Sequence, residues 1–430
     1  MDHIKHLKCL ICGKEYAPDE VEYVCPDHGN EGILDVVYDY DVILSRISKG
    51  TLAQDSDQTI WRYKAMLPIA PDAEVPPLAV GNTPLYDAPR LAKPLGLNHV
   101  WVKDDGRNPT ASFKDRASAI AVVKARESRG AGEQGSGGEA PLIPITTAST
   151  GNAAAALAGL CASVQHPNVI FVPESAPSAK IAQLLTYGAE VMLVKGTYDD
   201  AFELCLQAAD EYGWYNRNTG YNPYMSEGKK TASYEICEQL NWDAPDVIFV
   251  SVGDGCIIGG IHKGLKDLLA MGWIEQMPRI IGVQAEKSSF LYQAWKNEED
   301  VLTKSAVAAN SIADSINAGM PRDRMKAMAA VVETDGAYVC VTDAEILDGI
   351  TELARGTAVF AEPAGAAAYA GLVKAVELGL VKADDRIVVL NTGNGLKDVK
   401  SAMTAVKLSG TVANHVKPTL TDLKRVMADL

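Results

Sequence analysis

A lysine that attacks a carbonyl must be held partly neutral near pH 7. The run Asn108-Pro109-Thr110-Ala111-Ser112-Phe113-Lys114-Asp115-Arg116 places one where that can happen. The Asn-Pro pair favours a turn, and the alanine-rich residues 117–124 favour a helix with Ser112 as its N-cap. Lys114 then falls in the first helical turn, where the helix dipole disfavours a cation and lowers the ammonium's pKa. Taken alone, the run equally suits an ordinary helix start with solvated charges.

Three further polar turns have the same form. Ser149-Thr150-Gly151-Asn152-Ala153 follows the apolar residues 142–145 and opens an alanine-rich stretch. A strand, a glycine turn and a helix N-terminus make an anion site, here of a size for a carboxylate, and Asn152 adds an amide. Gly253, Asp254, Gly255, Cys256 and Ile257 follow the apolar residues 246–250. Glycines there let successive N–H groups wrap a phosphate. The segment is not a dinucleotide fingerprint, because Ile258 stands at the third glycine position, and it lacks the Gly-Lys-Ser/Thr of a Walker loop. Asp254 must turn its side chain away from any phosphate. Last, Thr392 offers a hydroxyl at the end of residues 386–390, before Gly393-Asn394-Gly395-Leu396-Lys397-Asp398.

The elements that must position these turns are short apolar strands at 99–103, 168–172, 190–194, 246–250, 279–283 and 386–390, spaced by helical patterns. That alternation predicts βα crossovers and a mostly parallel sheet. Polar turns at parallel strand ends converge on one cleft.

Composition narrows the function classes. With 40 Lys+Arg against 55 Asp+Glu, the net charge of −15 disfavours nucleic acid or an anionic membrane as a partner. A small phosphorylated ligand is still allowed, since a few local N–H groups decide its binding. No apolar run is long enough to span a bilayer and no secretory signal core is present, so a cytoplasmic protein is expected. Cys161, Cys205, Cys237, Cys256 and Cys340 read as free thiols. Cys9, Cys12, Cys25 and His28 differ: two ligand pairs, each followed by a glycine, have the spacing of a structural zinc ribbon.

These pieces, with Gly81-Asn82-Thr83-Pro84-Leu85 and Glu362-Pro363-Ala364-Gly365-Ala366-Ala367, occur in an order that resembles the threonine synthases over roughly residues 60–405. The resemblance implies an α/β, two-lobed, fold type II (tryptophan-synthase-β-like) pyridoxal 5'-phosphate enzyme with mostly parallel sheets. It also implies a homodimer acting on a small amino-acid substrate. The expected boundaries are a zinc-ribbon-like head at 1–40, a connecting arm at 41–80, a catalytic body at 81–410 with its small lobe roughly at 115–220, and a tail at 411–430. Lys114 would hold the cofactor covalently and shuttle protons, and Asn152 would bond its ring oxygen. Gly253, Asp254, Gly255, Cys256 and Ile257 would hold its phosphate, and Thr392 would face its ring nitrogen. Ser149 and Thr150 would receive the substrate carboxylate. A hydroxyl cannot keep that ring nitrogen protonated, which suits elimination and replacement better than transamination. The implied reaction converts O-phospho-L-homoserine and water to L-threonine and phosphate.

Three positions depart from the family pattern: Ala153 replaces a hydroxyl residue, Asn394 replaces a histidine, and Met225 replaces the arginine that contacts the substrate phosphate. Arg116, Arg217, Lys229 and Lys230 are the cations that could substitute for it. The alternatives are a β-replacement or β-elimination enzyme of the same fold (cysteate-synthase-like, or a serine/threonine ammonia-lyase) and a non-catalytic phosphate-ligand binding protein.

Overall fold

The computed structural model describes residues 1–128, 142–149, 151–176 and 178–428. The glycine-rich loop at 129–139 and Thr150 lie outside the described residues. In chain order the strands are β1 (Ile4–Cys9), β2 (Glu15–Tyr16), β3 (Leu34–Tyr38), β4 (Leu85–Asp87), β5 (His99–Asp104), β6 (Ile145–Ala148) and β7 (Asn168–Pro173). They continue as β8 (Glu190–Val194), β9 (Tyr215–Asn216), β10 (Val247–Ser251), β11 (Arg279–Ala285), β12 (Ala337–Val341) and β13 (Arg386–Asn391).

The larger sheet has the order β12-β11-β10-β13-β5-β4, parallel except for β4 at its edge. Its strands are apolar on both faces because helices cover both. Val247, Phe249, Ile281, Val283, Ile387 and Val389 pack to one side, and Ile248, Val250, Ile280, Val388 and Leu390 to the other. The smaller sheet, β8-β7-β6-β9, is wholly parallel. Each strand expected from an apolar run is present, within a residue or two at its ends. The apolar run at 142–145 is different: β6 begins at Ile145 and carries Thr146 and Thr147 into the core. Their hydroxyls donate to Val169 O (2.9 Å) and Asn218 Oδ1 (2.9 Å), and those bonds make buried threonines tolerable.

The head is the antiparallel sheet β2-β1-β3. It is fastened to the body by buried polar contacts. Asp35 lies 3.1 Å from Lys263 and 3.5 Å from Lys326. Tyr38 donates to Glu227 at 2.6 Å, and Tyr40 to Asp267 at 2.7 Å. The arm folds into the helices Tyr40–Leu44 and Lys49–Gln54 and the 3-10 segment Ile60–Met66, which buries Trp61. The tail carries the helix Leu420–Ala428, none of whose residues is buried.

Candidate active site

Strand ends of both sheets converge on one cavity of about 800 Å³. It is lined by Lys114, Ser149, Gly151, Asn152, Ala153 and residues 251–258, among others. That volume is in the range of small-molecule sites.

Lys114 is the first residue of the helix Lys114–Glu127, as its sequence context predicts. The cap position is Phe113 rather than Ser112, without a side-chain cap bond, and the Ser112 hydroxyl is buried with no partner. The preceding turn is tight: Ala111 adopts φ +65°, a conformation strained for a residue with a Cβ. Neighbours hold it there. Phe113 N–H donates to Thr392 O (2.9 Å), Asn394 N–H to Ala111 O (3.1 Å), and Thr110 N–H to Asp115 (2.7 Å). Asn394 also accepts from Leu396 N–H through its side chain at 3.0 Å, so at this departure from the family pattern the residue organises the loop. Burial holds the Lys114 ammonium below its ordinary pKa, and Arg217 adds to the effect. The direction matches the sequence expectation; the leading cause is desolvation.

On the opposite wall, β10 ends at Ser251 and leads through Gly253 and Gly255 into the helix Cys256–Ala270, which starts without a side-chain cap bond. Gly255 has φ +89°, and a Cβ there would meet Asp323 O at 2.8 Å, so glycine is required. The Asp254 carboxylate is exposed and accepts from Arg322 N–H at 3.4 Å. Ser149 is half-buried and accepts from Gly151 N–H at 3.2 Å, at the mouth of the helix Asn152–Ser163. Asn152 donates to Glu362 at 2.7 Å. Glu362 is buried, and burial raises its carboxyl pKa. Thr392 is not part of the described cavity wall; it underlies it through the Phe113 bond.

The four candidate cations separate cleanly. Arg116 is fully buried between Asp105 (2.6 Å) and Glu235 (2.6 Å). Lys230 lies 2.7 Å from Glu227 and 2.8 Å from Asp267, at ion-pair distance though not aligned as hydrogen bonds. Arg217 and Lys229 line the cavity and, among the described residues, enter no ion pair. Met225 is buried outside the described wall. Three lining carboxylates, Asp199, Asp254 and Asp314, are exposed. Of these, Asp199 is 3.5 Å from Arg322 and Asp314 2.5 Å from Lys180.

A family model for "pyridoxal-phosphate dependent enzyme" matches residues 77–393. Threonine synthase from Methanocaldococcus jannaschii is 37% identical over 93% of this chain and 94% of its own. The threonine synthase from Methanosarcina acetivorans is 36% identical over 93% of each. The chain belongs to the threonine synthase family of pyridoxal-phosphate-dependent enzymes. The fold is shared more widely: processed threonine deaminase isoform 2 of Solanum lycopersicum superposes with a TM-score of 0.62 at 22% identity, covering 76% of this chain and 88% of that one.

The site suits this family's cofactor. An uncapped helix N-terminus after a glycine turn faces the cavity that holds the Lys114 amine. The Ser251 hydroxyl, buried without a partner, adds a donor at the same strand end. These are donors, as a phosphorylated aldehyde requires. In the sequence Glu362 is signalled by the Glu-Pro-Ala-Gly run at 362–365, and Ser251 only by its place at the head of the glycine turn that follows residues 246–250.

In the head, Cys9, Cys12, Cys25 and His28 come together with ligand atoms all within 4.8 Å of one another. His28 Nδ1 is 3.4 Å from Cys25 Sγ and 3.9 Å from Cys9 Sγ. Such spacing fits a tetrahedral ion with bonds of ~2.0–2.3 Å.

Proposed function

We propose that the protein makes L-threonine and phosphate from O-phospho-L-homoserine and water. The observation that carries this reading is the cavity itself: a lysine at a helix start, facing an uncapped helix N-terminus, with the buried cations Arg217 and Lys229 on its wall, neither in an ion pair among the described residues. When bound, pyridoxal 5'-phosphate supplies the electron sink that makes the substrate's Cα–H acidic. Gly253, Gly255, Cys256 and Ile257 would hold its phosphate through backbone N–H groups, with Asp254 contributing only its main chain. Asn152 would bond its ring oxygen, and Thr392 would serve its ring nitrogen from beneath the wall.

The chain's own groups do the rest. Lys114 Nζ, kept partly neutral by burial, takes the Cα proton and relays one at Cβ; positioned transfer of this kind is worth about 10²–10⁴-fold. Ser149, Thr150 and the helix N-terminus at Asn152 receive the substrate carboxylate. Phosphate leaves from Cγ and water adds at Cβ. Closing the smaller lobe over this cleft excludes other water. A homodimer in the cytoplasm belongs to the same reading; a monomeric mass by light scattering would remove the first part.

The test mixes cofactor-loaded protein with O-phospho-L-homoserine and quantifies threonine and phosphate together. Equal release, abolished in Lys114→Ala, is expected. No release, with turnover of O-phospho-L-serine, L-serine or L-threonine instead, would transfer the protein to the β-replacement or ammonia-lyase reading. A well-folded protein that stays colourless with added cofactor would leave only a binding protein. For the head, we infer a structural zinc ion on Cys9, Cys12, Cys25 and His28. Metal analysis should find about one zinc per chain, lost in Cys12→Ser; equal metal in both would refute it.

A further inference from the structure

The cavity holds more cationic and donor capacity than one phosphate uses. The helix Cys256–Ala270 supplies backbone N–H groups for one anion. Separate from these, Arg217 is 1% exposed and Lys229 0% exposed, and both line the cavity. Arg217 donates through Nε to Ser118 at 3.2 Å and through Nη1 to Thr219 at 3.1 Å, both neutral partners, and its Nη2 has none. Lys229 Nζ has no hydrogen-bond partner among the described residues. A buried unpaired cation is costly and is ordinarily neutralised by a nearby carboxylate. The molecule does this for Lys230, the next residue, with two carboxylates.

Both side chains are also held in place. Gly260 allows the helix Cys256–Ala270 to approach Lys229 so closely that a Cβ would stand 2.6 Å from the Lys229 Cβ. Arg217 follows β9 directly, its N–H bonded to Thr146 O at 2.9 Å. The two cations thus come from different elements, the segment after β9 and the helix Tyr224–Lys229, and line the same cavity.

We propose that Arg217 and Lys229 form a second anion subsite, for the phosphate of an amino-acid phosphate ester, in place of the arginine absent at Met225. The proposal deepens the threonine synthase reading and rests on it for the identity of the ester. A phosphate ester carries about −1.5 to −2 charges near neutral pH and three acceptor oxygens. A guanidinium edge and an ammonium satisfy those oxygens, and the ester's charge satisfies the cations. An unphosphorylated hydroxy amino acid would leave both buried cations unpaired, so the pair selects for phosphorylated substrates.

The test uses inorganic phosphate as probe and cofactor-loaded protein throughout, with cofactor occupancy followed by its visible absorption band. Titration calorimetry should show one phosphate site per chain in the wild type, without loss of the band. Arg217→Gln and Lys229→Gln should each weaken phosphate by about 10-fold or more, the worth of a charge-assisted hydrogen bond, while keeping the band. Unchanged phosphate affinity in both variants would overturn the subsite. So would loss of the band at saturating cofactor, since the cations would then serve the cofactor's own phosphate. A wild-type measurement guards against misfolded variants: phosphate should compete with O-phospho-L-homoserine, raising KM and leaving kcat unchanged, and a non-competitive pattern would count against the proposal. If phosphate binds through both residues but O-phospho-L-homoserine is not turned over, the threonine synthase reading fails and the subsite stands.

Discussion

Around Arg116 every buried charge has an opposite in contact, whereas Arg217 and Lys229 have none at ion-pair distance among the described residues. The first cluster joins Arg116, Lys103, Asp105 and Glu235, all nearly inaccessible to solvent, and Glu235 bridges both cations, with Lys103 at 2.7 Å. The attraction of the two cations holds the Glu235 carboxyl far below its usual pKa despite its burial. In the second group burial outweighs the more distant acidic groups: Lys229 is pushed down to about 7 and Arg217 to about 10. A saturated cluster is part of the scaffold. An unsaturated one is completed by whatever enters the cavity.

The largest expected effect separates chemistry from scaffold inside the unsaturated group. Lys114→Ala should lower turnover by about 10⁴-fold, the upper end of positioned proton transfer, and remove the visible band of bound cofactor. Urea unfolding of the cofactor-free variant should stay within about 0.5 kcal/mol of wild type or improve, because no ion pair is broken. Appreciable turnover by a colourless Lys114→Ala protein would assign the chemistry elsewhere.

The saturated cluster should respond in the opposite sense. Glu235→Ala leaves Arg116 with one carboxylate and Lys103 with none of its own, and breaking a buried pair in this way costs about 3–5 kcal/mol. The urea midpoint should fall accordingly, with stability and not phosphate affinity as the affected quantity. A loss under about 1 kcal/mol would mean that water or Asp105 rescues the cations, and the contrast between the two clusters would weaken.

Much of this was legible from the chain, and the limits have a physical cause. The Lys114 turn and the glycine turn before Cys256 could be read because turn residues and helix starts are local. The neighbours Lys229 and Lys230 could not be told apart. They differ by about 100° of helix rotation, and that angle sends one ammonium to Glu227 and Asp267 and the other into the cavity. Arg116 and Arg217 were equally ambiguous, because the partners that decide between them, Asp105 and Glu235 for Arg116, come from distant parts of the fold. Thr146 and Thr147 shift β6 three residues past the apolar run at 142–145 for the same reason: their bonding partners are tertiary.

A smaller effect tests how the head meets this arrangement. Tyr38 donates to Glu227, and the Lys230 ammonium sits 3.9 Å over its ring. Glu227 shares a helical turn with Lys229, so the head braces the element that carries the unpaired cation. Tyr38→Phe removes a hydrogen bond to a charged group, worth about 1.5–3 kcal/mol. The loss should appear in thermal unfolding with zinc content unchanged. No change in stability would show that the head is held by Asp35 and its lysines alone.

The last effect is the most specific to the comparison, because a paired lysine would show its reverse. In the unfolded chain Lys229 titrates near 10.5, and in the folded cofactor-free protein near 7. Below about 7 both states hold the proton, and the folded protein bears the full cost of a buried, unpaired ammonium. Between those values the unfolded chain binds a proton that the folded one does not, so stability rises with pH by up to about 1.4 kcal/mol per unit. Lys114, Arg217, Cys256 and Asp323 all act on Lys229, so the informative quantity is the wild-type stability minus that of Lys229→Gln. That difference should be most negative at low pH and climb through the alkaline range. Adding phosphate should flatten it from below, because a bound anion keeps the ammonium charged; phosphate affinity must then fall as pH rises through about 7. A difference that does not vary with pH, with or without phosphate, would place Lys229 among the paired cations and dissolve the contrast with Arg116.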